Sequence, residues 1–180
     1  YHVELFKWLT PADGKPMPFE KAVQSGLSIG TPGLVRLLKT VHEKHGKLAW
    51  ARLFEPAIRI AEDGFTVTPR LYLLLRITGP DAFDTAGRRY FFDESGAPRP
   101  AGSVIKNPDY AATLKTIAEK GPDGFYAGRV ADQVLGAVAN APNVAGDLSA
   151  GDLAAYKVEV REPVCATYRV YKVCGMGPPS

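Results

Sequence analysis

The stretch NPDYAATLKTIAEKG, Asn107 to Gly121, carries the start, the face and the stop of one helix in a single run. Asn107 is a good N-cap, and Pro108 sits where a missing N–H costs nothing. Ala111, Leu114, Ile117 and Ala118 recur at helical spacing, so one face of the predicted helix is apolar. Gly121 supplies the stop.

The same punctuation repeats upstream. Thr31-Pro32 predicts a helix start, with Leu34, Leu37, Leu38 and Val41 on one face and Gly46 as the stop. Leu48 to Phe54 reads as a short helical stretch, and Pro56 opens a segment that runs through Ile58, Ile60 and Ala61 to Gly64. Thr68-Pro69 opens another, with Leu71, Leu74 and Leu75 on one face, closed by Gly79-Pro80. Tyr90 to Pro100 is an aromatic patch followed by a turn. Nearer the N-terminus, Tyr1 to Leu9 is apolar enough to start as a helix. Asp13-Gly14 predicts a tight turn, and Pro16 and Pro18 block helix.

Downstream, Gly128 to Ala141 predicts a helix with Val130, Val134, Leu135 and Val138 facing inward. Ser149 and Asp152 form a capping-box pattern with Asp in place of Glu. From Lys157 the period changes. Val158, Val160, Val164, Tyr168, Val170, Tyr171 and Val173 are β-branched or aromatic, which favours strand. The predicted class is therefore mainly α with a C-terminal β-hairpin. It reads as a single helix-rich fragment over residues 1–180, mostly helical over 1–156 and a hairpin over 157–180.

Composition narrows the function classes. Of 180 residues, 46% are hydrophobic and 23% charged, which is ordinary for a globular chain. The net charge is only +3, and Lys and Arg alternate with Asp and Glu. That argues against nucleic acid as a partner and against a polybasic membrane anchor. No apolar run reaches the length of a membrane span. Tyr1 opens in mid-pattern and Gly177-Pro178-Pro179-Ser180 follows directly on a strand-like stretch, so both ends read as internal cuts.

No catalytic constellation stands out. SGLSIGTPG, Ser25 to Gly33, is a glycine loop before a predicted helix, but it has neither the GxGxxG spacing nor a phosphate-binding lysine. It reads as a backbone turn. His42 and His45 are three residues apart on one helix without an acidic or cysteine partner at ligand spacing, which reads as a helix C-terminal pair and leaves no metal site. Asp63, Asp93, Glu94, Asp109 and Asp152 each lie near a turn or helix start, where capping explains them. Ser25, Ser28 and Ser149 lack the strained strand-to-helix context of a serine nucleophile. No catalytic, cofactor-binding or metal residue is assigned. The two cysteines, Cys165 and Cys174, are too few for a disulfide scaffold.

Several stretches taken together resemble the γ-glutamyltransferase family, also called γ-glutamyltranspeptidase or glutathione hydrolase. They are SGLSIGTPG (25–33), KHGKLAWARLFEPAIRIAEDGF (44–65), KNPDYAATLKTIAEKGPDGFYAG (106–128), GDLSAGDLAAYKVEVREPV (146–164) and YRVYKVCGMGPPS (168–180). Their order and spacing match the family over nearly the whole chain, as an internal part of the large subunit.

The resemblance implies the helical portion of an N-terminal-nucleophile hydrolase of α/β/β/α type, with its central sheet largely missing here. It implies an autoprocessed zymogen in which the new N-terminal Thr of a small subunit attacks a γ-glutamyl amide, its own amine serving as base. The γ-glutamyl group then passes to an amino acid, a peptide or water, with glutathione as the usual donor and no cofactor. A periplasmic or secreted location is implied as well. The family's Thr is expected beyond Ser180 and its carboxylate-binding Arg before Tyr1. None of its catalytic residues maps onto residues 1–180, and the fragment alone is expected to be inactive. Related amidases, the cephalosporin and glutaryl acylases, share the scaffold and form the first alternative. A stand-alone helical module that recruits a partner through an exposed apolar stripe is the second.

The family's hairpin turn is usually Tyr-Arg-Gly-Tyr, and here Val170 replaces the glycine. A β-branched residue resists positive φ, so either the turn has another geometry or the strain is tolerated. With the turn at Arg169-Val170, Cys165 faces Cys174 at a non-hydrogen-bonded pair, within disulfide reach. The pair is a disulfide in an oxidising compartment or two reduced thiols on one sheet face.

Overall fold

The computed structural model describes residue 15 and residues 17–177. The expectations for Tyr1 to Leu9, for Asp13-Gly14, for Pro16 and for the segment from Pro178 onward lie outside the described residues. In chain order the helices are α1 (Phe19–Val23), α2 (Leu34–His45), α3 (Glu55–Asp63), α4 (Pro69–Thr78), α5 (Thr85–Phe91), α6 (Pro108–Lys120), α7 (Asp123–Tyr126), α8 (Gly128–Ala139) and α9 (Ala150–Ala155). The strands are β1 (Phe65–Thr66), β2 (Val104–Ile105), β3 (Val164–Tyr168) and β4 (Tyr171–Gly175), and short 3-10 turns occupy Gly26–Ser28, Trp50–Leu53 and Pro80–Ala82. The chain is helix-rich and closes on a strand pair. Packing divides it into two compact units, residues 42–137 and residues up to 41 together with 138 onward.

In the 42–137 unit, α6 packs against α3, α7 and the Trp50–Leu53 turn. Its start is the one read from sequence: the Asn107 side chain accepts from the Tyr110 N–H at 2.9 Å, and Pro108 follows. Ala111, Leu114 and Ile117 on its inner face are buried, each large side chain worth about 1.5–3 kcal/mol relative to exposure. Trp50 closes over them, its indole Nε1 donating to the Ile117 carbonyl at 3.0 Å. A short antiparallel pair, Phe65↔Ile105 and Thr66↔Val104, ties the end of α3 to the approach to α6. Thr68 caps α4 by accepting from Leu71 N–H at 3.1 Å.

In the other unit the core is built from Met17, Ala22, Val138 and Leu153, with the Ser25 hydroxyl buried among them. Ser149 and Asp152 make both halves of the capping box that opens α9. The hairpin pairs Val164↔Gly175, Cys165↔Cys174, Ala166↔Val173, Thr167↔Lys172 and Tyr168↔Tyr171.

Differences from the sequence-based expectations have physical causes. Helix α2 begins at Leu34, not at Thr31-Pro32, and its first carbonyl acceptor is that of Gly33, bonded by Leu37 N–H at 3.0 Å. Gly33 lies against the Tyr156 ring, where a Cβ would come 2.6 Å from Cζ, so the packing places the helix boundary at a glycine. Val158 and Val160 lie outside any strand; β-propensity is realised only where a partner strand exists, and pairing begins at Val164. Helices α1, α5 and α7 and the β1–β2 pair are additional to the elements read from the pattern.

Candidate functional site

The glycine loop Ser25–Gly33 is built as a turn. Ser25 is 1% exposed and its Oγ donates to the Ala22 carbonyl at 2.8 Å. Ser28 Oγ donates to the Ser25 carbonyl at 2.8 Å. Gly26 N–H donates to the Val144 carbonyl at 2.8 Å, and Ile29 N–H to that of Gly26 at 3.2 Å. The hydroxyls and these backbone donors are engaged locally, as a backbone turn requires.

His42 and His45 do different things. His42 Nε2 lies 2.8 Å from the Leu48 carbonyl, an acceptor only, so this nitrogen carries the proton. The ring meets Trp50 edge-on at 5.4 Å, and Gly46 N–H donates to the His42 carbonyl at 2.7 Å. The residue thus fastens the end of α2 to the segment that follows. His45 is exposed. Among the described residues no group of three or more His, Cys, Asp or Glu is placed to hold a metal.

The carboxylates are structural where they are engaged. Asp152 caps α9. Asp93 Oδ1 accepts from Ser95 N–H at 2.9 Å, Ser95 Oγ at 2.7 Å and Ala97 N–H at 3.0 Å. The Ser95 hydroxyl and the Ala97 amide hold its carboxyl below the ordinary value of 3.8. Asp109 lies in the first turn of α6 and Asp63 in the last turn of α3. The Ser149 hydroxyl donates to the Asp152 carboxylate at 2.6 Å as part of the capping box.

Cys165 and Cys174 face each other across the hairpin with Cα atoms 4.1 Å apart, and the structure joins them as a disulfide. Both lie on strands exposed along their whole length. The geometry of the turn accommodates Val170. Arg169 takes the positive φ, 54°, and Val170 does not, as in a hairpin whose first central residue alone is left-handed.

A separate concavity takes in only Asp109 of these residues. A cleft of about 800 Å³ in the 42–137 unit is lined by Arg89, Tyr90, Arg99, Val104, Lys106 and Asp109 among others. A neighbouring one of about 720 Å³ shares Arg89 and Arg99 with it. Arg99 Nε donates to the Tyr90 carbonyl at 2.8 Å and Nη2 to that of Arg89 at 3.1 Å. Nothing in the local pattern marks these cations, because it is the fold that brings them to one cleft. Asp84, which caps α5 by accepting from Gly87 N–H at 2.7 Å, is the one legible cue to that helix.

The gamma-glutamyltranspeptidase family model matches residues 2–180. Glutathione hydrolase 2 of Arabidopsis thaliana is 36% identical over 161 residues, which is 89% of this chain and 27% of that protein. The acylase ACY 1 proenzyme of a Pseudomonas species is 31% identical over 179 residues, 98% of this chain and 32% of that protein. Among solved structures, the γ-glutamyltranspeptidase of Helicobacter pylori superposes with a TM-score of 0.86 at 30% identity, covering 97% of this chain and 49% of that one. The chain therefore spans about a quarter to a third of the length of these curated relatives.

Proposed function

The chain belongs to the gamma-glutamyltranspeptidase family, and from that premise we propose that its 180 residues are one scaffold piece of the large subunit of a γ-glutamyl-transferring hydrolase. In the complete enzyme a Thr outside this segment attacks the γ-glutamyl amide of glutathione or a related compound. Its hydroxyl oxygen forms an ester with the γ-carbonyl, the amide C–N bond breaks, and the leaving amine takes a proton. An amino acid, a peptide or water then attacks the ester and releases the Thr. The partners are the small subunit cut from the same precursor, the glutathione donor and the acceptor amine, and the compartment is periplasmic or extracellular. No helix among the described residues is long and apolar enough to cross a membrane.

The observation that carries this reading is the family match along 2–180, and the serine hydroxyls at Ser25 and Ser149 are each engaged in a local structural hydrogen bond. The role left to the segment is to support the cleft wall and pack against the central sheet of the fold. The similarity to an acylase proenzyme favours a second reading at the same scaffold, in which the parent cleaves an acyl amide other than γ-glutamyl.

The test is release of a chromogenic amine from a γ-glutamyl anilide. The 180-residue chain is expected to show none above a blank, and the product of the complete reading frame is expected to turn it over. Turnover by the 180 residues alone sinks the scaffold reading. Cleavage of a glutaryl anilide but not of the γ-glutamyl one by the complete product selects the acylase.

A further inference from the structure

We propose that the cleft bounded by Arg89, Arg99, Lys106 and Asp109 binds a small ligand bearing two or more carboxylates and an ammonium group, a short acidic peptide or an acidic amino acid. The cleft's own geometry carries this, independently of the acyl-transfer reading above. Arg99 is the anchor. It is half-buried, and its guanidinium is held in one orientation by the carbonyls of Tyr90 and Arg89, at 2.8 and 3.1 Å. Its backbone N–H is fixed on the Phe91 carbonyl at 3.0 Å. A guanidinium has N–H donors beyond those two, and because the fork is already immobilised, a carboxylate that meets it costs little ordering entropy. Arg89 and Lys106 line the same cleft.

Charge and size choose the ligand class. Three cations, Arg89, Arg99 and Lys106, stand against one carboxylate, Asp109, a balance of +2 in the lining of the cleft. A bare divalent anion would satisfy the cations but be repelled by Asp109. A zwitterion with several carboxylates satisfies both, its ammonium on Asp109 and its carboxylates on the guanidinium pair. The cleft's volume, about 800 Å³, is that of a small-molecule site and exceeds what a single ion fills.

The test is calorimetric titration of the 180-residue chain with triglutamate, glutamate, N-acetyl-triglutamate, triglutamine and inorganic phosphate, at low and high salt. Triglutamate is expected to bind, to weaken with salt, and to lose affinity about tenfold in the Arg89→Gln/Lys106→Gln double variant. Asp109→Asn is expected to weaken triglutamate and leave the N-acetylated peptide unchanged. Binding by glutamate alone assigns the site to a free acidic amino acid, and binding by triglutamate alone to a peptide. Circular dichroism checks that the variants fold. Should the double variant unfold, amide shift changes on titrating the unaltered chain decide in its place: changes confined to residues 86–109 support the site, and changes elsewhere refute it. Affinity unchanged in a folded double variant, binding of phosphate without the peptide or the amino acid, or no binding at all overturns the proposal.

Discussion

Gly26 and Gly146 are packed backbone against backbone. A Cβ on Gly26 would lie 2.7 Å from the Gly146 Cα and 2.6 Å from the Val138 carbonyl oxygen. A Cβ on Gly146 would in turn lie 2.7 Å from the Gly26 carbonyl carbon. Gly146 N–H donates to that same Val138 oxygen at 3.0 Å, so neither strand of chain can retreat without losing a hydrogen bond. The glycine loop is thus explained by close approach and not by a ligand.

Gly26→Ala and Gly146→Ala are each expected to destabilise the fold by about 1–3 kcal/mol, the range for overpacking a tight site. Gly30→Ala is the control, because a Cβ there meets nothing within 4 Å and no positive φ is required. That change is expected to be neutral or to stabilise by about 0.4–1 kcal/mol. Urea unfolding midpoints of the three variants decide it; equal midpoints would remove the packing argument.

At the hairpin turn, Arg169 has φ of 54° while Val170 has negative φ and is 88% exposed. Arg169→Gly is expected to stabilise the turn by about 1 kcal/mol by relieving a left-handed non-glycine residue. Val170→Gly, the residue usual at this place in the family, is expected to give no gain and to cost about 0.5–1 kcal/mol in chain entropy. A gain from Val170→Gly larger than from Arg169→Gly would contradict the observed turn. Hydrogen-exchange protection of the Ala166 and Val173 amides reads the difference.

The legible and illegible parts of this fold separate by range. The caps at Thr68, Asn107 and Ser149 and the glycine stops at Gly46, Gly64 and Gly121 act within one turn, so local pattern exposes them. The hairpin register is legible for the same reason, since it is counted outward from a two-residue turn. The Phe65↔Ile105 pair joins residues forty apart and leaves no local mark beyond the β-branched Thr66, Val104 and Ile105. The cationic cleft is of that second kind: Arg89, Arg99 and Lys106 look like scattered surface charge until the fold brings them to one cleft.

The apolar stripe of α2 is a different case. Leu34, Leu37, Leu38 and Val41 keep helical spacing and yet are 64%, 42%, 49% and 48% exposed. Helical periodicity predicts a covered face, and the described residues do not cover this one. The 180-residue chain is expected to bind an environment-sensitive apolar dye and to self-associate on a sizing column. A Leu37→Lys/Leu38→Lys variant is expected to lower both signals while keeping its helical dichroism. A monomeric, dye-negative chain would show the stripe to be innocuous.

Cys165 and Cys174 are nine residues apart in sequence and opposite each other in space. As a disulfide they would restrict the unfolded chain by about 2–3 kcal/mol, the loop-closure effect for so short a ring. Alkylation of the unreduced, denatured protein followed by mass spectrometry is expected to find no modified cysteine before reduction and two after. Two alkylated thiols without reductant would show a reduced pair. Cys165→Ser/Cys174→Ser is expected to lower the stability of the hairpin while α6 and its neighbours keep theirs, since those belong to the other unit.

Asp93 sets the pH response of the loop between Phe92 and Pro98, which bridge one another across it. Its carboxylate gathers the Ser95 hydroxyl and amide and the Ala97 amide, and these bonds lower its pKa from the ordinary 3.8. The sign follows from linkage. A carboxyl whose folded value is depressed contributes stability above its unfolded value, and that contribution is lost as pH falls through the folded value. The loop is therefore expected to hold unchanged from neutral pH down past 3.8 and to loosen only below it. The observable is the chemical shift of the Ser95 and Ala97 amides and of the Asp93 carboxyl carbon during an acid titration. Asp93→Asn is expected to abolish that transition. A carboxyl midpoint at or above 3.8 would show that the three hydrogen bonds do not favour the charged form, and the loop's order would then need another cause.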